Sequence, residues 1–151
     1  MRFERAAAKV QAALADRALR IEHAGSTSVP GLAAKPVIDI VLVVANSSDE
    51  AAYAQDLASA GYAVRIREPD WYEHRMFRGS ESEVNLHAFS VGCLEVDRMI
   101  LFRDWLRRNA ADRELYQRTK LALAQQEWEK VQDYADAKTA IIAEIMARAQ
   151  A

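Results

Sequence analysis

The chain has 151 residues, 51% of them apolar, enough to bury one substantial core and too few for two ordinary domains, so residues 1–151 are expected to form a single domain. Its 20 basic and 22 acidic side chains nearly cancel, which argues against a nucleic-acid-coating protein or a polybasic membrane anchor and leaves any anion binding to a local cluster. The single cysteine, Cys93, cannot close an internal disulfide. It suits a reducing cytosol, with a buried structural thiol as its expected role. No segment has the continuous apolar span of a signal peptide or a membrane helix, so a soluble cytoplasmic protein is expected.

In chain order, Phe3, Ala7, Val10 and Leu14 recur at spacings of three and four, which predicts an amphipathic helix over 3–15. Residues 18–24 read as a strand feeding the tight turn Gly25-Ser26, and GSTSVPGLAAKP (25–36) has the chemistry of an ordered loop, with a short helical turn after Pro30. Residues 37–44 are apolar and mostly β-branched except for Asp39, the pattern of a central strand buried on both faces. Ser47 to Glu50 offer an N-cap and acidic first turn for a helix ending at Gly61. Strands follow over 62–66, 75–78 and 84–90, the last two joined across 79–82. Three helices, over 95–108, 112–127 and 131–149, contain neither Gly nor Pro. The order predicts an α+β fold with a mixed sheet and a helical C-terminal third.

The chemistry concentrates around Asp39. A carboxylate among valines needs donors, a cation or a metal, because burying it unpaired costs several kcal/mol. It either caps the preceding loop or belongs to a site. That loop supplies the hydroxyls of Ser26, Thr27 and Ser28, a glycine that admits close backbone approach, and Lys35, a set suited to an anion and equally to a self-bonded turn. Glu83, Asn85 and His87 alternate onto one strand face, a polar row facing water or a cavity. The three histidines His23, His74 and His87 lack metal-ligand spacing, so zinc is not expected. In the last helix Lys138 stands in a stripe with Val131, Tyr134, Ile141 and Ile145. It either snorkels to the rim or points a cation into the pocket of Asp39. Lys120 is similarly aligned with Tyr116 and Leu123, while Arg98, Arg103, Arg107 and Arg108 read as a solvated helix face with Asp104.

The run IEHAGSTSVPGLAAKPVIDI (21–40), with NLHAF, LFRDWLRR and the final Tyr134, Lys138 and Ile141-Ile142 pattern, resembles the GrpB family over almost the whole chain. That bacterial family is similar to the nucleotidyltransferase superfamily, which implies a nucleotidyltransferase-like mixed β-sheet flanked by helices. In the superfamily a Gly-Ser turn holds a nucleotide triphosphate, and carboxylates on the following strand bind Mg2+. Gly25 and Ser26 match the turn and Asp39 matches the first metal carboxylate. Val41 stands where the second belongs, and Asn85 and His87 stand where a third acid belongs, with Glu83 the nearest carboxylate.

The resemblance therefore implies a protein that binds a nucleotide or related phosphate ligand, with nucleotidyl transfer under reduced metal dependence as the enzymatic form. Gly25, Ser26, Thr27, Ser28, Lys35, His74 and Arg75 are expected at the ligand. Asp39, His87 and Lys138 are expected at the chemistry, Asp39 also being the candidate Mg2+ ligand. Two alternatives stand beside it: a noncatalytic regulatory module that kept the pocket, and a metal-free enzyme acting on a small acidic or amino-acid-like substrate. A homodimer is compatible with each.

Overall fold

The computed structural model describes residues 2–32, 37–79, 83–126 and 131–151. Lys35, the 80–82 connection and the side chain of Val131 lie outside the described residues. Helix α1 (Arg2–Leu14) leads to strand β1 (Arg20–Ala24), a 3-10 turn (Ser26–Ser28) and β2 (Ile38–Val44). Then come α2 (Ala54–Ser59), β3 (Tyr62–Glu68), β4 (His74–Gly79) and β5 (Val84–Ser90), followed by α3 (Leu94–Arg108), α4 (Ala110–Gln125) and α5 (Val131–Ala149). The strands form one sheet in the order β1-β2-β5-β4-β3. Among the described residues only β2 and β5 run parallel, so this is the mixed α+β arrangement read from the sequence.

Strand β2 is buried for the reason its composition gives: both faces are covered. Ile38, Ile40, Leu42 and Val44 pack with Val10 and Leu14 of α1, Leu57 of α2, and Phe77, Leu86 and Ala88 of the neighbouring strands. On the other face Val41 and Val43 meet Phe89 and, from α3, Val96 and Ile100. A third cluster, with Val29 and Leu32 from the loop, Leu106, Tyr116, Ile141 and Ile145, fixes the three C-terminal helices against the loop. Each fully buried aliphatic side chain contributes about 1.5–3 kcal/mol.

The helical third is also held by one buried carboxylate. Asp112, 5% exposed, accepts from Trp105 Nε1 of α3 at 2.7 Å and from Arg148 Nη2 of α5 at 2.6 Å. Its own backbone N–H is capped by the Asn109 side chain at 2.9 Å. Hydrogen bonding to Arg148 and Trp105 holds its pKa below the usual value, against the opposing effect of burial. The three helices thus present their inner faces to the sheet in a defined register.

Some local expectations need correction. A 3-10 turn that the sequence did not suggest stands before Pro30, at Ser26–Ser28, and the stretch 33–36, where a short helical turn was expected, lies outside the described residues. The helix expected between Ser47 and Gly61 is a 3-10 turn at Glu50–Ala52 and a six-residue α2, without a side-chain N-cap. The Ser47 hydroxyl instead donates to the Glu73 carbonyl at 2.7 Å and lies 3.0 Å from Ser90 Oγ, stitching the loop to the sheet. Cys93 is half-buried, not fully buried, at the start of α3. Among the described residues no helix is long and apolar enough to cross a membrane.

Candidate functional site

The site begins where β1 ends. Ala24 pairs with Asp39 across the antiparallel β1–β2 ladder, and Gly25 then turns with φ +70°, a conformation that excludes most L side chains. A Cβ at Gly25 would stand 2.6 Å from Asp39 Oδ2. The glycine is therefore needed twice, for its dihedral and for the carboxylate lying against its backbone.

Within the 3-10 turn the three hydroxyls diverge. Ser28 is buried and donates to the Gly25 carbonyl at 2.5 Å, while Arg107 Nε secures the Ser28 carbonyl at 2.9 Å. Thr27 Oγ1 lies 2.9 Å from His23 Nε2. The His23 ring stacks on Phe3, and its pKa is pushed down by burial and by the nearby Arg107 and Arg103. Ser26 Oγ accepts from Lys120 Nζ of α4 at 2.7 Å.

Ser26, Asp39, Lys120 and Lys138 form the border between two adjoining recesses. One, of about 250 Å³, has an apolar wall that includes Val29, Phe102, Leu106 and Tyr116, with Arg103 at its edge. The other, of about 340 Å³, is polar and adds Thr27, Asn85 and Tyr134. Lys120 Nζ and Lys138 Nζ stand 5.6 and 5.5 Å from the ring centroids of Tyr116 and Tyr134. Aromatic faces thus orient both ammonium groups. Of the two fates open to Lys138 in the sequence, lining the cavity that Asp39 enters is the one observed.

Behind Asp39 runs a chain of polar contacts. Asp39 Oδ1 is 3.0 Å from His87 Nε2, His87 Nδ1 is 2.9 Å from His74 Nε2, and His74 Nδ1 is 2.7 Å from Glu68 Oε1. The contact arises because β4 pairs with β5 so that Met76 faces His87, bringing His74 one step along the same face. Burial pulls the His74 pKa down, with Glu68 opposing.

Arg75, expected at the ligand beside His74, points to the other side of the sheet. Neighbouring residues on a strand face opposite ways, and Arg75 Nε donates to Glu50 Oε2 at 2.8 Å, an acceptor shared with Arg67 Nε. These guanidinium groups hold the Glu50 pKa down at about 2. Glu83 is exposed, and Asn85 Oδ1 accepts from Arg78 Nη1 at 2.9 Å while lining the polar recess. Arg103 is not the solvated side chain its spacing implies: its side chain is 12% exposed, and Nη1 donates to Glu22 Oε2 at 2.8 Å and to the His23 carbonyl.

The donor set can be tested against the Mg2+ ions that the superfamily resemblance implies. Val41 is fully buried among Val43, Phe89, Val96 and Ile100. Asp39 is the only carboxylate lining either recess among the described residues, and one of its oxygens is engaged by His87. No group of three His, Cys, Asp or Glu among the described residues is placed to hold an ion. These residues do not fit a resident two-ion centre.

Residues 1–148 match the family model described as GrpB protein. The chain belongs to the GrpB family. It is 58% identical over 149 residues to a UPF0157 protein of Halalkalibacterium halodurans, covering 99% of this chain and 76% of that protein. It is 47% identical over 131 residues to a UPF0157 protein of Streptomyces coelicolor, covering 87% of this chain and 69% of the other. The crystal structure of the conserved protein GrpB from Enterococcus faecalis superposes with a TM-score of 0.82 at 31% identity, over 98% of this chain and 90% of that one. The mixed sheet with its helical C-terminal part is thus a GrpB-family fold, and the border residues Ser26 and Asp39 both fall within the 21–40 run that suggested the family.

Proposed function

We propose that this GrpB-family chain binds a nucleotide or a related phosphate compound at the border formed by Ser26, Asp39, Lys120 and Lys138. One observation carries the reading: two lysines from different helices reach the recesses that the Gly-Ser turn and the single carboxylate also line. Among the described residues that line both recesses two ammonium groups stand with one carboxylate, on a protein whose formal net charge is −2, and a phosphate group offers both ammonium groups acceptors. The apolar recess beside Phe102 and Tyr116 suits the uncharged part of such a ligand.

Charge neutralisation then falls to Lys120 and Lys138 more than to metal. Asp39 is placed to orient an acceptor hydroxyl and to receive its proton. In a nucleotidyl transfer the acceptor oxygen would bond to the α-phosphorus, the bond to the leaving phosphate oxygen would break with its electron pair, and the hydroxyl proton would pass to Asp39. A noncatalytic binding module is the second reading, favoured by Val41 at the position of the second metal carboxylate.

Calorimetric titration of nucleoside triphosphates and of inorganic tripolyphosphate, each with and without Mg2+, tests the proposal. Binding without Mg2+, weakened about tenfold by Lys138→Met, is expected; tenfold corresponds to about 1.4 kcal/mol. Binding that appears only with Mg2+ and disappears in Asp39→Asn would point instead to metal-assisted transfer. No binding of any of these phosphates would leave the small acidic or amino-acid-like substrate as the better reading.

A further inference from the structure

The contacts behind Asp39 are more than a support for one carboxylate. They join four titratable groups in a line, Asp39, His87, His74 and Glu68, through three links of 3.0, 2.9 and 2.7 Å. Exposure along the line is uneven. The side chains of Asp39 and Glu68 are 35% and 45% exposed, whereas those of His87 and His74 are 21% and 6% exposed. The His74 ring is flanked by Trp71 and Phe89, with ring centroids 5.2 and 4.9 Å away. The line is thus open at its two ends, in the cavity and at the protein surface, and closed in the middle.

Counting protons gives this line a property that neither histidine has alone. Three links need three hydrogens, one in each. Two neutral imidazoles bring only two, and ionised carboxylates bring none. With both imidazoles neutral, one link sets two lone pairs against each other, so the line has a vacancy for a single proton. A second added proton on the two rings would set two N–H groups against each other in the His87–His74 link.

We infer that Asp39, His87, His74 and Glu68 form a proton relay that takes up one proton at the cavity and passes it to the surface at Glu68. The inference rests on the proposed reading of the cavity as the place where a ligand hydroxyl reacts. When that hydroxyl's O–H bond breaks, its electron pair stays on oxygen and the proton enters the Asp39–His87 link. The hydrogens of the next two links each shift one place toward Glu68, which releases one to water. His87 touches the carboxylate at the reacting end. His74 and Glu68 act through it and are positioning residues. The other charged groups near the relay are Lys120, Lys138 and Arg103 at the cavity end and Arg75, whose charge acts on His74 from the opposite side of the sheet, and all of them disfavour a second added proton.

Nitrogen-15 NMR of the four imidazole nitrogens in the ligand-free full chain tests this between pH 9 and 5. The relay predicts that the two rings together take up one proton, in a single step seen at both. Glu68→Gln, at the exposed end, supplies an amide that can donate to His74 Nδ1 and so fills the vacancy without a proton. The common step should then move down by about one pH unit or more. His74→Phe should abolish the step shared by the two rings; if that variant does not fold, Glu68→Gln still decides. Two independent one-proton titrations, or a Glu68→Gln variant whose steps do not move, would overturn the relay. Because no ligand is present, this failure is separable from a failure of tripolyphosphate to bind, which would count against the cavity reading alone.

Discussion

The two faces of β2 do different work from one run of seven residues. Ile38, Ile40, Leu42 and Val44 face α1 and α2 in a continuous apolar layer. On the opposite face Val41 and Val43 continue the core under α3, but Asp39 begins the opening where the Gly25 turn, the two lysines and the histidine line converge. Strand alternation permits this, since a single position can be polar on one face while its neighbours keep the other dry. One face supplies stability and the end of the other supplies chemistry, so substitutions on the two faces should separate stability from ligand binding.

The largest expected effect lies on the dry face. Ile40→Ala, at a fully buried position, should cost about 2–5 kcal/mol in denaturant unfolding, with tripolyphosphate affinity little changed in the fraction that stays folded. Gly25→Ala should cost about 1–3 kcal/mol through its left-handed dihedral, with a further loss from the clash against Asp39. Adding Asp39→Ala should recover the second part, so the double variant loses less than the sum of the singles. Lys120→Met and Lys138→Met should each weaken anion binding about tenfold while shifting stability by no more than about 0.5 kcal/mol.

A separate effect concerns acid stability on the face away from the site. The Glu50 pKa falls from an ordinary 4.5 to about 2 on folding, so its contribution is complete above about pH 4.5 and is lost as pH falls toward 2. Glu50→Gln should flatten that part of an acid-unfolding profile and leave anion binding unchanged. A coupled loss of binding would mean that Arg75 acts on the site after all.

Much of this division was legible in the sequence. The apolar run of β2 identified a central strand, its alternation put Asp39 with Val41 and Val43, and the charged stripe member Lys138 left open, beside the rim, the cavity position that it takes. These are local periodicities that tertiary packing preserved. Ser47 to Glu50 misled because capping signals describe only local competition for backbone N–H groups, whereas Ser47 is drawn into the sheet by Glu73 and Ser90. Arg103 looked solvated because helix spacing cannot tell that Glu22 and the His23 carbonyl lie across from it. The Glu68–His74–His87 line left no mark in spacing at all, since it depends on the register of β4 against β5 and on a contact from the end of β3. That same register separates His74 from Arg75, which adjacency in sequence had grouped together.

The central claim is that the Gly-Ser turn, Asp39 and the two lysines act as one anion site. Chemical-shift mapping of the full chain titrated with inorganic tripolyphosphate tests it most directly. The account predicts saturable shifts concentrated at Gly25, Ser26, Thr27, Asp39, Lys120 and Lys138, and their loss in the Lys120→Met, Lys138→Met double variant. Shifts spread over unrelated basic surfaces such as Arg2, Arg5 and Lys9, or unchanged in that variant, would contradict it.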